Sequence, residues 1–466
     1  MNPCHLQQDT LSLLKAGKLQ GSKRLKLCCN LTDFPAETFT LADTLEILDL
    51  SGNLLNCLPD DLNKLHKLRI LFCSSNQFTH VPEVLGQCEN LSMIGFKANK
   101  IAEFSNSAIP AATLRWLILT DNALTKLPDG IGDCQHMQKL MLAGNQLNQL
   151  PESLVNCKKL ELLRISANRF DSLPEWLFDL PKLSWLAYAG NPFSDSIEKK
   201  LISTHHIPKI DWHRLKIQQQ LGEGASGLIY QAQLQLNQPQ TNVVETSDVA
   251  VKMFKADLTS DGLPRCEIHA TALAGQHPNL LGLVGITNHH PHGESGMLIP
   301  LLNANLTVLA NPPDFESCSR DIYADNTEFP LTAVLNIAYG IASAVAHLHA
   351  SGITHGDLYA HNILFNQHKN STLADVVLTD FGAASFLPPD NFKQSQQLQR
   401  IESHAFACLL EELLNHCALN VSAADNDILK SLWQLQTECA QTNSAERPLF
   451  EAVKMRIEKI KSHQTN

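Results

Sequence analysis

The sequence predicts two domains of different fold class, an α/β solenoid of short repeats followed by an α+β domain. A chain of 466 residues is too long for one ordinary hydrophobic core, so more than one domain is expected. From Asn30 to Asn191 an asparagine recurs at every 23rd position, which is typical of stacked repeats. After Phe193 this period stops, and a glycine-rich loop is followed by acidic and amide residues suited to phosphate chemistry.

Each repeat places apolar residues at fixed distances from its asparagine. Leucine or isoleucine stands five and three positions before it in most copies, as Leu117 and Leu119 do before Asn122. The pattern resembles the leucine-rich repeat family, which implies one short strand per copy, a shared core and asparagines bonded to the turns. We expect about eight copies over residues 23–195, behind a helical cap over residues 1–22. The repeated asparagines are Asn30, Asn53, Asn76, Asn99, Asn122, Asn145, Asn168 and Asn191.

The strand positions that should face outward are unusually apolar. From the second copy on, the residues four and six places before each asparagine include two tryptophans and few charges, whereas a solvated sheet should be more polar. A contact with a protein partner on the concave face, or with the chain's own second domain, is one explanation. The other is that some of these residues belong to the core. The candidate contact residues are Phe72, Trp116, Ile118, Met141, Arg164 and Trp185.

Composition excludes several classes of protein. With 44% apolar and 18% charged residues the chain is globular, and its net charge of -11 gives no footprint for nucleic acid or anionic membranes. The first residues lack a signal peptide, and no window has the ~18 to 20 uninterrupted apolar residues of a membrane span. The thirteen cysteines are scattered without a C-x-x-C pair, which favours free thiols in a reducing compartment. We therefore expect a cytoplasmic protein.

A short polar linker over residues 196–211 should lead into the second domain, at residues 212–462. Three glycines then follow the pattern G-x-G-x-x-G, which lets a backbone approach phosphates but also occurs in dinucleotide sites. The stretch from Asp248 to Lys252 distinguishes the two, because it is a strand pattern where a dinucleotide fold requires a helix. The expected nucleotide-binding residues are Gly222, Gly224, Gly227, Ile229, Ala250 and Lys252.

Two further motifs supply the chemistry. A hydroxyl that attacks a γ-phosphate needs a carboxylate such as Asp357 to orient it, and magnesium prefers oxygen ligands such as those of Asn362 and Asp380. The stretches H-G-D-L-x-x-x-N and D-F-G resemble the eukaryotic-like protein kinases. The resemblance implies a bilobal fold, ATP and Mg²⁺ as cofactors, Asp357, Lys252 and Glu267 as catalytic residues, and Asn362 and Asp380 as metal ligands.

The sequence departs from that family around the catalytic loop. Gly356 replaces the arginine that pairs with a phosphorylated activation segment, and Tyr359 replaces a phosphate-steadying lysine. No A-P-E triplet follows D-F-G, so the peptide platform is expected to be short, with Glu402 as a substitute partner for Arg447.

The sequence as a whole favours a leucine-rich repeat protein kinase that phosphorylates a protein hydroxyl, serine or threonine rather than tyrosine. The repeats would bind a substrate or regulator. Two alternatives stay open: a pseudokinase scaffold that acts through the repeats, and a small-molecule phosphotransferase, which the H-G-D form also resembles.

Overall fold

The computed structural model describes residues 3–224, 226–236, 245–366, 376–418 and 423–462. The chain forms two compact units, Met1–Leu183 and Ser184–Asn466. The expected boundary was 195/196. The division falls earlier because the strand segment of the eighth repeat copy, residues 184–191, belongs by its contacts to the second unit.

The first unit is a stack of strand-and-turn repeats behind helix α1 (Pro3–Lys15). Its strands are parallel and in register, each paired with the strand 23 residues away, which confirms the predicted solenoid. The outer segments are short 3-10 turns that begin after a proline in most copies. The strands are β1 (Arg24–Lys26), β2 (Ile47–Asp49), β3 (Ile70–Phe72), β4 (Met93–Gly95), β5 (Trp116–Ile118), β6 (Lys139–Met141) and β7 (Leu162–Arg164).

The repeated asparagines form the predicted hydrogen-bonded ladder. The Asn145 Nδ2 donates to the carbonyl oxygens of Leu119 (2.8 Å) and Leu142 (3.0 Å), and its Oδ1 accepts from the Leu124 amide (3.0 Å). One side chain therefore joins its own turn to the preceding copy. Because Asn145 is only 7% exposed, water cannot replace these bonds.

Replacing Asn145 by alanine should lower the free energy of unfolding by about 2 to 4 kcal/mol, because three buried backbone groups lose their partner. Urea unfolding of the whole chain measures this. Asn156→Ala removes an exposed asparagine from a neighbouring turn and should change stability by less than about 0.5 kcal/mol. Equal losses in the two variants would show that the ladder is not the source.

The second unit begins with the strand of the predicted eighth repeat copy and continues with a helix and a strand that the sequence pattern missed. Strand β8 (Trp185–Ala187) is followed by helix α2 (Pro192–Ile202) and strand β9 (Lys209–Asp211), so most of the predicted linker is ordered secondary structure. Asn191, the last repeated asparagine, is also the N-cap residue of α2, and its backbone amide donates to Ser194 Oγ (3.0 Å). This segment was predicted to be a linker because it is polar, but contacts with other parts of the second unit stabilise it as helix α2.

The upper lobe of this unit is a six-stranded sheet with one helix. The strand order is β10-β11-β12-β14-β13-β9, antiparallel except where β9 runs parallel to β13. The elements are β10 (Leu215–Glu223), β11 (Gly227–Leu236), β12 (Glu245–Phe254), α3 (Pro264–Ala274), β13 (Gly285–Asn288) and β14 (Gly296–Pro300).

The lower lobe is mainly helical. Helix α4 is, among the described residues, long and apolar enough to cross a membrane by length and composition, but 72% of its most apolar stretch is buried within the folded chain, as in a core helix. Two small sheets, β15-β17-β18 and β16-β19, carry the motif loops. The elements are β15 (Leu306–Val308), α4 (Leu331–Ala350), β16 (Ile353–Thr354), β17 (Ile363–Asn366), β18 (Val376–Leu378), β19 (Ser385–Phe386), α5 (Phe392–Asn415), α6 (Ala423–Cys439) and α7 (Phe450–Ser462).

Candidate active site

The lysine and glutamate predicted to act together do form an ion pair. Lys252 extends from β12 and contacts Glu267 on α3, and both side chains are nearly buried. The Lys252 Nζ also lies 3.7 Å from the Asp380 Oδ1. One ammonium therefore links the upper sheet, helix α3 and the D-F-G loop.

The electrostatics of this pair follow from its burial and its neighbours. Burial by itself favours the neutral amine of Lys252, but the charges of Asp380 and Glu267 outweigh it and raise the pKa of the lysine. Burial also raises the pKa of the Glu267 carboxyl, against the opposing effect of the Lys252 ammonium. The lysine thus stays cationic at neutral pH, as a group that binds phosphate must.

The catalytic loop holds its polar groups in a defined arrangement. The Asn362 Nδ2 donates to the Asp357 Oδ2 (2.8 Å) and to the Asp357 carbonyl (2.9 Å), so the amide oxygen is the atom of Asn362 that can face a cation. The His355 Nδ1 accepts from the Asp357 amide (3.3 Å), and its Nε2 donates to the Thr379 carbonyl (3.0 Å). The buried His355 ring therefore ties the catalytic loop to the segment before Asp380.

The donor atoms fit magnesium with a nucleotide. Asp380 has a positive φ of 59° and a half-exposed carboxylate, and with the Asn362 amide oxygen it offers two hard oxygen donors. Among the described residues no group of three or more His, Cys, Asp or Glu side chains could hold a metal by itself. A two-donor set suits Mg²⁺, which keeps waters and takes its remaining ligands from phosphates.

The glycine-rich loop is open where the phosphates would lie. A Cβ atom placed on Gly222 or Gly224 would meet no heavy atom within 4 Å, whereas one on Gly227 would lie 2.5 Å from the Met253 carbonyl oxygen. The first two glycines thus leave space for a ligand, and the third is required by packing of β11 on β12.

The predicted floor of the nucleotide site is an apolar cluster. Ala250 is buried with Met297 and Ile299 from the neighbouring strand, and Ile229 and Leu364 pack against them. A flat aromatic base could be enclosed here between the two lobes.

Gly356 and Glu402 form an arrangement that the sequence did not predict. Gly356 has a φ of +73°, and a Cβ there would lie 2.4 Å from the Ala383 carbonyl oxygen and 2.9 Å from that of Leu186. Its amide donates to the Glu402 Oε1 (2.5 Å), whose Oε2 accepts from the His349 Nε2 (2.7 Å). A buried carboxylate therefore fixes the catalytic loop directly from α5.

The expectation that Glu402 pairs with Arg447 is wrong. Glu402 is committed to Gly356 and His349, while the Arg447 Nε donates to the Gln441 carbonyl oxygen (2.8 Å). Burial lowers the pKa of Arg447 to about 10. Recognition of Glu402 needed the tertiary fold, because its partners His349 and Gly356 are 53 and 46 residues away in sequence.

Trp185 packs on the catalytic loop. Its ring stacks on Tyr359 at 4.0 Å with an interplanar angle of 9°, and its Nε1 donates to the Leu358 carbonyl (3.0 Å). Tyr188, three residues further on, makes a second contact: its hydroxyl donates to the Phe386 carbonyl (3.1 Å). Of the two explanations for the apolar stripe, an intramolecular contact therefore applies to Trp185.

The other candidate contact residues lie in the first unit. Phe72, Trp116, Ile118 and Met141 are half-buried, and Arg164 is 1% exposed. The Lys139 Nζ lies 4.7 Å from the centroid of the Trp116 ring, and the Trp116 Nε1 donates to the Met141 Sδ (3.4 Å). Some side chains of the stripe thus already contact one another within the first unit. Binding of another protein to the stripe stays a prediction.

Comparison with known proteins agrees with this geometry. Residues 215–418 match the family model described as protein tyrosine and serine/threonine kinase, and residues 112–170 match that of the leucine rich repeat. The chain therefore carries a protein kinase domain and a leucine-rich repeat region.

Several kinases are similar in sequence to this chain. A probable serine/threonine-protein kinase of Dictyostelium discoideum is 22% identical over 44% of the chain and 21% of its own length. The probable serine/threonine-protein kinase kinY of the same organism is 26% identical over 38% of the chain and 29% of its own length. The human dual specificity testis-specific protein kinase 2 is 32% identical over 24% of the chain and 17% of its own length. The chain thus matches less than a third of each of these relatives.

Proposed function

We propose that this protein is an ATP- and Mg²⁺-dependent kinase that transfers the γ-phosphate to a serine or threonine hydroxyl of a protein. The observation that carries the proposal is the buried Lys252–Glu267 pair beside Asp380, together with the Asn362–Asp357 hydrogen bonds. The serine/threonine-protein kinases among the similar sequences favour that acceptor.

Each residue has a distinct part in the proposed reaction. Lys252 holds the α- and β-phosphates, and Glu267 holds the Lys252 ammonium in place. Asn362 and Asp380 would hold the metal, which would supply positive charge to the phosphate oxygens. Asp357 orients the acceptor hydroxyl and takes its proton. The rate enhancement then comes mainly from positioning and from charges fixed before the reaction.

The repeats are proposed to bind a protein substrate or regulator on their concave face, where Phe72, Trp116, Ile118 and Met141 remain half-exposed. A cytoplasmic location is proposed from the composition and from the cysteines of the described residues, which are all free thiols.

A scaffold function is the second candidate. Tyr359 stands where a phosphate-steadying lysine is expected, and it is covered by Trp185. This packing covers part of the catalytic loop with the chain's own residue and favours a scaffold that acts through its repeats.

Phosphate transfer from labelled ATP by the purified chain tests the proposal, with autophosphorylation and a generic protein substrate both measured. Lys252→Met should lower transfer by roughly 100-fold, because the phosphates lose a charge-assisted partner. Lys216→Met removes an exposed lysine from β10 and should leave transfer unchanged. Absence of transfer from a wild-type chain that binds MgATP would favour the scaffold.

A further inference from the structure

Helix α2 of the second unit contains a buried carboxylate that contacts helix α3. Glu198 is 1% exposed. Its Oε1 accepts from the His269 Nδ1 (2.6 Å), and its Oε2 accepts from the Arg265 Nη1 (3.2 Å) and the Cys266 Sγ (3.4 Å). A single side chain of α2 therefore binds three residues of α3.

These three contacts flank Glu267, the residue that pairs with Lys252. Successive helical residues are rotated by about 100°, so Arg265, Cys266 and His269 can face α2 while Glu267 faces the sheet. Asp195, one turn before Glu198, adds a second acceptor for Arg265, 2.9 Å from its Nη2. These contacts thus fix the rotation of α3 about its axis and its position along that axis. They lie on the side of α3 opposite to the ATP site.

The start of helix α3 has no side-chain cap. Leu263 occupies the N-cap position and supplies no side-chain hydrogen bond, and Pro264 follows it. A carboxylate near this first turn also interacts favourably with the positive end of the helix dipole. The contacts with α2 therefore act on side chains in and just after a first turn that has no side-chain cap of its own.

Helix α2 is itself anchored to the loop after D-F-G. The Asn191 Nδ2 donates to the Tyr188 carbonyl (2.8 Å), and the Tyr188 amide donates to the Ser385 Oγ (2.9 Å). A continuous series of contacts thus runs from β19 through Tyr188 and α2 to α3.

We propose that Glu198 is a positioning residue, which holds α3 so that Glu267 reaches Lys252 and the ATP site stays assembled without a phosphate on the activation segment. This inference rests on the proposed kinase function. Beyond that function, residues 184–202, which contain the last repeat strand and helix α2, keep the kinase domain in its ATP-binding arrangement.

The test measures the affinity of the full chain for MgATP by calorimetry and the KM for ATP and kcat by labelled transfer. Glu198→Gln removes the charge and keeps the volume, and it should weaken MgATP binding about tenfold, a typical coupling between sites. In the Glu267→Gln background the same change should have almost no effect, because Glu198 acts only through Glu267.

A double-mutant cycle therefore decides between positioning and general stabilisation. Multiplicative effects of Glu198→Gln and Glu267→Gln would overturn the inference. Hydrogen exchange in residues 264–274 should become faster in Glu198→Gln, whereas unchanged exchange would also overturn it. Asp390→Asn breaks the exposed contact of α2 through Lys200 (3.2 Å) and should leave affinity within about twofold.

A second variant tests the same contact in case Glu198→Gln does not fold. Arg265→Gln breaks the same contact from the α3 side at a more exposed position, and it should reproduce the loss of affinity. Wild-type affinity in a folded Arg265→Gln chain would overturn the inference while leaving the kinase proposal intact. A wild-type chain that binds no MgATP would overturn both.

Discussion

Replacing Asp357 by asparagine is expected to lower phosphate transfer by about 10³-fold while ATP affinity stays within about threefold. The Asp357 Oδ2 accepts from the Asn362 Nδ2 at 2.8 Å. An asparagine at position 357 can offer its amide oxygen to the same donor, so the loop keeps its shape. The variant loses only the carboxylate that orients the acceptor and accepts its proton.

Single-turnover transfer from labelled ATP, measured beside MgATP affinity, separates chemistry from binding. Asp427→Asn neutralises an exposed aspartate of α6 and is the matched control, with transfer expected at the wild-type rate. A tenfold loss or less in Asp357→Asn would exclude Asp357 as the base. A parallel loss of ATP affinity would indicate damage to the site rather than to the chemistry.

Local signals allowed much of the fold to be predicted. The 23-residue period is a property of each copy and its neighbour, so the strands and the asparagine ladder follow from the sequence. The Lys252–Glu267 pair was predicted from the resemblance to protein kinases, in which a glutamate of the helix after the lysine strand pairs with that lysine. The first prediction concerns residues that recur every 23 positions, and the second concerns one pair of residues in motifs of fixed order.

Features that depend on distant contacts could not be predicted. The segment that contains α2 is polar, and the partners of Glu198 lie 67 to 71 residues further on. Helix α2 does carry local signals, an Asn191 N-cap followed by Pro192 and lysines in its last turn, but the polar composition led to its assignment as a linker. The apolar stripe was ambiguous for a similar reason, because only the fold places Trp185 on Tyr359.

The glycine of the H-G-D motif has a steric reason. Because the family's arginine is missing at position 356, the sequence predicts that control by a phosphate on the activation segment is absent. The structure adds that no Cβ fits at Gly356, since carbonyl oxygens of Ala383 and Leu186 lie within 3 Å of that position. The close approach of Leu186 and Ala383 to the catalytic loop therefore leaves room for no side chain at position 356.

Gly356→Ala should accordingly lower the free energy of unfolding by about 2 to 5 kcal/mol. The left-handed backbone contributes about 1 to 2 kcal/mol and the clash with two carbonyl groups about 1 to 3 kcal/mol. Gly293→Ala is the matched control, because its φ of +70° is similar and no heavy atom lies within 4 Å of its Cβ. This control should lose only about 1 kcal/mol.

Thermal and urea unfolding of the two variants isolate the steric part from the backbone strain. A larger loss in Gly356→Ala than in Gly293→Ala would attribute the difference to crowding by Ala383 and Leu186, and Gly356→Arg should then be worse still. Equal losses would mean that the loop moves aside at little cost. In that case the family arginine could be restored at position 356, and its absence here would have no steric cause.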